Sequence, residues 1–246
     1  MLRASKLIAS WFVFCLSLSE VYGSDCALIF GTLGIGKSAQ TPSLWTPDEQ
    51  VYVWSEGTLE ATPSVIHTTL FLFDDNKAQK EVVLRSDRTP DGHLRNFRGP
   101  FALGSYDAFC AIDWSANSRF LLIEHTRGPQ GSDNLSISTW VFDRLTKTRQ
   151  RTNLNQLIKA IETHANERKY LSSLYYVVPI GWESATLHRV VLLAAPGPGE
   201  VDDFGIWSTE INGDNPELVA ENSNNYVPNH FGKTKSTLSS PRRPVP

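Results

Sequence analysis

Three segments of this sequence share one pattern, in which a tryptophan precedes a short polar turn and an apolar run. They begin at Trp45, Trp114 and Trp182, so the pattern recurs with a nearly constant period. A second shared element follows each tryptophan at a matching distance, namely an apolar run whose last residue is acidic. These acidic residues are Asp74, Asp143 and Glu210. Three copies of a two-part pattern indicate that the chain builds one structural unit three times.

Each copy has the features of an antiparallel meander of four strands. One strand leads into the tryptophan, a second follows the polar turn, a third ends at the acidic residue, and a fourth follows a hairpin. Stacking of such units would bury their apolar faces. The sequence therefore predicts a mainly all-β protein with three blade-like, four-stranded antiparallel units, arranged as a β-propeller or a propeller-like stack.

One stretch between the second and third copies has helical periodicity instead. Its apolar residues fall on one face of a helix, and they are Leu154, Leu157, Ile158 and Ile161. Asn153 can cap the first turn, because its side-chain oxygen can accept a hydrogen bond from a free backbone N–H group. The prediction is one inserted amphipathic helix near residues 153–165.

The tryptophan turns resemble the repeat of TolB-type β-propellers, a WD-like family. Trp45-Thr-Pro-Asp48 is similar to the Trp-Ser-Pro-Asp signature of that family, and residues 206–219 (IWSTEINGDNPELV) resemble its outer hairpin. The resemblance covers most of residues 41–220, although the spacing of the three tryptophans exceeds the roughly 40–45 residues of such blades. It implies blade-like units and a role as a docking scaffold.

The first 23 residues have the features of an export signal. Arg3 and Lys6 form a basic start, residues 7–18 (LIASWFVFCLSL) form an uncharged apolar stretch, and Gly23 is small enough for the cleavage position. The apolar stretch is shorter than the roughly 20 residues of a membrane-spanning helix, so no stable span is expected after signal removal. A retained membrane anchor is the alternative interpretation.

Cleavage after Gly23 defines the expected organisation of the chain. Residues 1–23 would be the signal peptide, 24–221 the repeat domain, and 222–246 a disordered polar tail, since this last segment has few apolar residues and no periodicity. The expected location is secreted or periplasmic.

Signal removal also leaves two of the three cysteines in the chain. Cys26 and Cys110 are far apart in the sequence, and an oxidising compartment favours a disulfide between them. The alternative is a pair of buried free thiols, because sequence does not show whether their Cα atoms come close enough.

Composition and motifs exclude several classes of function. A net charge of −3 does not fit a nucleic-acid binder, and 41% hydrophobic residues do not fit a disordered chain. The six histidines lack metal-ligand spacing, and the phosphate-loop-like residues 31–38 are followed by prolines that prevent the required helix. We therefore expect no cofactor, no metal and no catalytic residue, and we expect the repeated tryptophans to be core residues.

Three hypotheses about function follow. The first is an exported, non-catalytic scaffold that binds a protein or an envelope component. The second is a secreted or periplasmic hydrolase, acting on a glycan or a peptide, whose carboxylates come from Asp87, Asp91, Asp113, Glu124, Asp202 and Asp203. The third is a homodimer, in which three units of one chain pair with three of another.

Overall fold

The computed structural model describes most of the repeat region and part of the segment after it. The described residues are 30, 33, 36–61, 64–86, 105–129, 136–167, 175–183, 188–196, 204–223 and 226–235. They are mostly β-strands with one helix, which confirms the prediction of a mainly β protein. The predicted signal peptide lies outside the described residues.

The first unit contains one strand more than the four-stranded pattern predicts. Its strands are β1 (Ser38–Gln40), β2 (Ser43–Trp45), β3 (Val51–Ala61), β4 (Ser64–Asp74) and β5 (Gln79–Arg85). Strands β3 and β4 form a long antiparallel pair. Strands β1 and β2 pair with β3, and β5 pairs with β4.

The second and third units are simple antiparallel meanders. The second unit comprises β6 (Ser105–Trp114), β7 (Phe120–Pro129), β8 (Ser136–Asp143) and β9 (Thr148–Arg151). The third unit comprises β10 (Tyr175–Trp182), β11 (Arg189–Pro196), β12 (Ile206–Glu210) and β13 (Glu217–Ala220), and it forms a sheet of its own. In both units each strand pairs with its neighbour in sequence.

The first two units belong to one ten-stranded sheet, which the repeat pattern does not predict. Residues 65–67 of β4 pair in parallel with residues 105–107 of β6. This junction arises because β5 pairs only with residues 69–74 of β4. The backbone groups that precede them on the same edge are therefore free to pair with another strand.

The polar turn after each tryptophan has the same backbone closure in all three units. The residue after the tryptophan donates its N–H to the carbonyl of the first residue of the next strand. This bond runs from Thr46 to Val51, from Ser115 to Phe120 and from Glu183 to Arg189, over 2.8, 2.8 and 3.2 Å. Glu49 and Ser118 have φ of 55° and 60° in equivalent positions, so the repeat also preserves a left-handed residue in the first two turns.

Two of the repeated tryptophans connect one unit to the preceding one. The indole Nε1–H of Trp114 donates to the carbonyl of Leu44 at 3.2 Å, and that of Trp182 donates to the carbonyl of Asp113 at 3.3 Å. In each case the acceptor precedes the tryptophan of the previous unit. Trp114 and Trp182 are buried, whereas Trp45 is partly exposed. In the second and third units the repeated ring thus links units as well as filling the core.

The hydrophobic core lies on both faces of the second unit. Alternate residues of β7 point to opposite sides, as expected for a strand. Leu121 and Ile123 pack against the first unit, whereas Phe120 and Leu122 pack against the third. Apolar residues on both faces of the second unit are therefore buried against residues of the first and third units.

The single described helix, α1 (Asn155–Glu167), confirms the helix predicted near residues 153–165. The Asn153 side-chain oxygen accepts the backbone N–H of Asn155 at 3.1 Å and so caps the first turn. Leu157 and Ile161 are fully buried in the cluster between the second and third units. Within the described ranges, no helix has both the length and the apolar character that a bilayer crossing requires.

The segment after the third unit returns to the first. Strand β14 (Lys233–Lys235) pairs antiparallel with β2, and Asn229 forms a bridge with Trp182. Composition predicts a disordered tail from residue 222, yet residues 226–235 make these defined contacts. The reason is that their backbone N–H groups find acceptors in the sheet, which composition does not reveal.

Candidate functional site between the second and third units

A pocket of about 330 Å³ opens between the second and third units, at the end of the strands that carries the tryptophan turns. It lies where β7 and β11 begin and β8 and β12 end. Its lining includes Phe120, Asp143, Gln150, His188, Glu210 and Asn212. Two of these, Asp143 and Glu210, are the repeated acidic residues that end the third strand of each unit. The repeat thus brings two carboxylates to one pocket.

Asp143 is held in a fixed orientation on the second-unit side. The Arg119 guanidinium donates from Nε to Oδ1 at 3.1 Å and from Nη2 to Oδ2 at 2.6 Å. The backbone N–H of Leu145 donates to Oδ1 at 2.9 Å. The Arg119 hydrogen bond, with smaller contributions from the backbone N–H donors, lowers the pKa of Asp143 to about 2. Its carboxylate is ionised and already paired with a cation.

Glu210 faces the same pocket with a different set of partners. The Asn215 side-chain amide donates to its Oε1 at 2.6 Å. The guanidinium of Arg189, the cross-strand partner of Glu210, forms an ion pair with Glu183 at 2.8 Å and donates to the Ser208 hydroxyl at 2.8 Å. Among the described residues, Glu210 therefore has a neutral donor and no ion pair. It supplies the uncompensated negative charge of the pocket.

The remaining walls combine an aromatic contact with polar groups. The rings of Phe120 and His188 meet edge to face, with centroids 5.9 Å apart. Asn212 and Gln150 add amide groups to the lining. Val141 and Ile211 complete the apolar part of the lining, and most of the other lining residues are polar. The arrangement suits a ligand group that carries a positive charge or several hydroxyls.

The carboxylates of the hydrolase hypothesis are only partly described. Asp87, Asp91, Asp202 and Asp203 lie outside the described residues. Glu124 is buried and accepts a hydrogen bond from the Thr126 hydroxyl at 2.7 Å, and burial raises its pKa. Asp113 is also buried but bonds to backbone N–H groups. No hydrogen bond joins Asp113 to Glu124 in the part of the chain that the structure describes.

Only one of the two cysteines of the predicted disulfide lies among the described residues. Cys110 is buried in β6 and is disulfide-bonded. Cys26 lies outside the described residues, so the Cys26–Cys110 pairing stays a prediction.

The described residues hold no group of three or more His, Cys, Asp or Glu side chains arranged to bind a metal ion. The phosphate-loop-like segment leads into β1, because Ser38 to Gln40 pair with β3. The residues that would open the helix of a phosphate-binding loop are therefore extended.

Sequence reasoning identified the acids of the pocket but not the pocket. Asp143 and Glu210 stand out as repeat positions, whereas His188 and Asn212 lie in turns without a shared pattern. These four residues line one pocket because of the way in which the third unit packs against the second. The spacing along the chain carries no signal for that arrangement.

Comparisons with known proteins define no family for this chain. No protein-family model matches it, and no curated protein matches it. Fifteen solved chains match the structure. One of them, described as "Oligogalacturonate lyase in complex with manganese", shares 12% sequence identity with a TM-score of 0.31. The match covers 75% of this chain and 54% of that one, so the chain spans about half the length of the structure it matches.

Proposed function

We propose that this chain is an exported β-propeller-like scaffold whose role is to bind a partner protein or an envelope component. In this proposal the three units are propeller-type blades, and the pocket between the second and third units receives a cationic or hydroxyl-bearing group of the partner. The observation that carries the proposal is the convergence of two repeat-position acids, Asp143 and Glu210, on one pocket.

Electrostatics favours a cationic group over an anionic one. Asp143 is compensated by Arg119, but Glu210 has only the neutral amide of Asn215. A lysine or arginine side chain would gain a charge-assisted hydrogen bond to Glu210, which is about twice as strong as a neutral one. The same pocket would repel a carboxylate or a phosphate. We therefore expect selection by charge at this site.

The test compares binding to sets of short peptides that differ only in net charge. The full-length gene is expressed, the exported product is purified, and affinities are measured by interferometry. We expect cationic peptides to bind best, and we expect Glu210→Gln to lower their affinity at least fivefold. The matched control is Asp74→Asn, the same repeat position in the first unit, where the carboxylate lies 3.0 Å from Lys77 outside the pocket. Equal affinities for all peptides, or equal losses in both variants, would contradict the proposal.

A further inference from the structure

A second polar cluster lies at the opposite end of the second unit from the pocket. The pocket is lined by the Phe120 and Asp143 end of the β7–β8 pair, whereas this cluster lies toward the Arg127 and Ser136 end. It consists of Asp107 on β6, His125 on β7 and Ser138 on β8, and the register places all three on one face. His125 is directly opposite Phe109 and Ser138, and Asp107 is two positions from Phe109 along β6.

The three side chains form a continuous hydrogen-bond chain. His125 Nε2 lies 2.7 Å from Asp107 Oδ1, and His125 Nδ1 lies 3.5 Å from Ser138 Oγ. The imidazole is stacked on the Phe109 ring, with centroids 4.0 Å apart and an interplanar angle of 13°. This stacking holds the imidazole in the plane that both hydrogen bonds need.

The donor and acceptor properties of these groups fix the direction of each hydrogen bond from Ser138 to His125 and from His125 to Asp107. An ionised Asp107 only accepts, so the proton of a neutral His125 resides on Nε2 and leaves Nδ1 as an acceptor. The Trp140 indole Nε1–H donates to Ser138 Oγ at 3.2 Å. Because indole only donates, the Ser138 hydroxyl proton is free to point toward His125 Nδ1. The result is a serine whose proton faces a base that a carboxylate orients.

We propose that Ser138 is a nucleophile for acyl transfer from a small ester, with His125 as its general base and Asp107 as the positioning residue. In the first step the Ser138 Oγ–acyl bond forms and the hydroxyl proton passes to His125 Nδ1. The ester C–O bond then breaks, and the leaving alcohol takes that proton. Water cleaves the acyl-serine by the same proton route, which regenerates the hydroxyl.

The degree of burial limits the class of substrate. The side chains of His125 and Asp107 are 15% and 8% exposed, and Ser138 is 6% exposed. A large aromatic neighbour, Trp140, adds to the enclosure on the same strand as Ser138. Side chains with so little exposure are less accessible to a polymer chain than to a small acyl group, so the substrate class that we propose is a short-chain ester.

A second serine–histidine pair in the same chain provides a matched control. Ser86 Oγ lies 3.3 Å from His67 Nδ1, but its hydroxyl donates to the Thr68 carbonyl at 3.1 Å and accepts the Thr68 N–H at 2.9 Å. The Ser86 hydroxyl proton is therefore already used in a hydrogen bond to the Thr68 carbonyl. No described carboxylate lies within hydrogen-bond distance of His67. Ser86 should be unreactive under conditions in which Ser138 reacts.

The experiment treats the purified product of the full-length gene with a fluorophosphonate, which phosphonylates an activated serine as fluoride leaves. Intact mass and peptide mapping locate the adduct. We expect one adduct, on Ser138, no adduct in Ser138→Ala, and at least tenfold slower labelling in His125→Gln. Asp107→Asn should also slow labelling, because the amide can donate to Nε2 and move the imidazole proton to Nδ1.

Two results would overturn the proposal. One is the absence of any adduct on the wild-type chain, which does not depend on whether a variant folds. The other is labelling of Ser138 that is no faster than labelling of Ser86, or that is unchanged in Asp107→Asn with a wild-type melting temperature. Peptide binding by the pocket is measured separately, so its failure and the failure of this proposal are distinguishable.

Discussion

At the scale of single residues, Asp113 has the most consequential environment in the described chain. Its carboxylate accepts backbone N–H groups from Trp114 at 2.8 Å and from Gly232 at 2.7 Å, and the N–H of Phe231 lies 3.2 Å away. Its carbonyl accepts the indole N–H of Trp182. One residue therefore joins the second unit both to the third unit and to the C-terminal segment.

Asp113 should make stability depend on pH. Burial raises its pKa to about 7, although the Gly232, Phe231 and Trp114 N–H groups lower it. An unfolded aspartate titrates at about 3.9. From about pH 4 to 7 the folded state holds a proton that the unfolded state releases, so this contribution to stability falls as pH rises. Asp113→Asn should remove up to about 4 kcal/mol of that pH dependence.

Urea unfolding of the wild type and of Asp113→Asn between pH 4 and pH 8 measures how much of the pH dependence the substitution removes. The control is Asp75→Asn, which changes an exposed carboxylate in the turn between β4 and β5. We expect Asp75→Asn to retain the wild-type pH profile. An Asp113→Asn profile parallel to that of the wild type would show that Asp113 does not titrate in this range.

Residue-scale prediction from sequence succeeded where the signal was local. The acidic ends of the third strands were visible as repeat positions, and the cap at Asn153 was visible beside its apolar helix. The contact between His125 and Ser138 could not be predicted from the sequence, because it depends on the register of β7 against β8. A shift of one residue would place the two side chains on opposite faces of the sheet.

At the scale of elements, the hairpin between β12 and β13 is closely fitted to the start of α1. Gly213 has φ of 93°, and a Cβ at this position would overlap the carbonyl of Asn153. Asn153 is the residue that caps α1. The hairpin of the third unit and the helix before it thus meet at a position that leaves no room for a side chain.

Gly213→Ala should therefore cost at least about 3 kcal/mol, since it adds steric overlap to an unfavourable backbone conformation. Gly36→Ala is the matched control, because Gly36 also has positive φ, 72°, but no atom of the described residues lies within 4 Å of the added Cβ. It should cost only about 1–2 kcal/mol. Chemical denaturation measures both, and similar losses in the two variants would rule out the close fit.

Elements were predicted better than their connections. Apolar runs, turns and one amphipathic stretch are local signals, so strands and helix were expected near their observed positions. The parallel pairing of β4 with β6 was not expected, because it joins backbone groups that are distant in sequence without a side-chain pattern. Short strands such as β14 are equally difficult, since backbone pairing alone holds them.

At the scale of the whole molecule, the predicted disulfide would tie the N-terminal part of the chain to the second unit. Cys110 is disulfide-bonded, and the predicted partner is Cys26. A bridge that closes so long a loop would restrict the unfolded chain and contribute about 4 kcal/mol in the loop-entropy account. The Cys26→Ser and Cys110→Ser double variant should be less stable by about that amount.

Mass spectrometry of the oxidised, alkylated product tests the pairing directly. We expect a Cys26–Cys110 peptide and no alkylated cysteine. Two alkylated cysteines under denaturing, non-reducing conditions would refute the bridge. A stability loss in the double variant but not in the reduced wild type would assign the effect to side-chain packing.

The return of β14 to β2 has a consequence for the order in which the chain is made. Synthesis delivers the first unit early, yet among the described residues the outer edge of β2 is paired by residues 233–235 alone. The Asp113 carboxylate also accepts hydrogen bonds from the N–H groups of Phe231 and Gly232, and these two residues are synthesised much later. The unit that is synthesised first is therefore completed last, and a nascent chain exposes an open strand edge until residues 233–235 have been made.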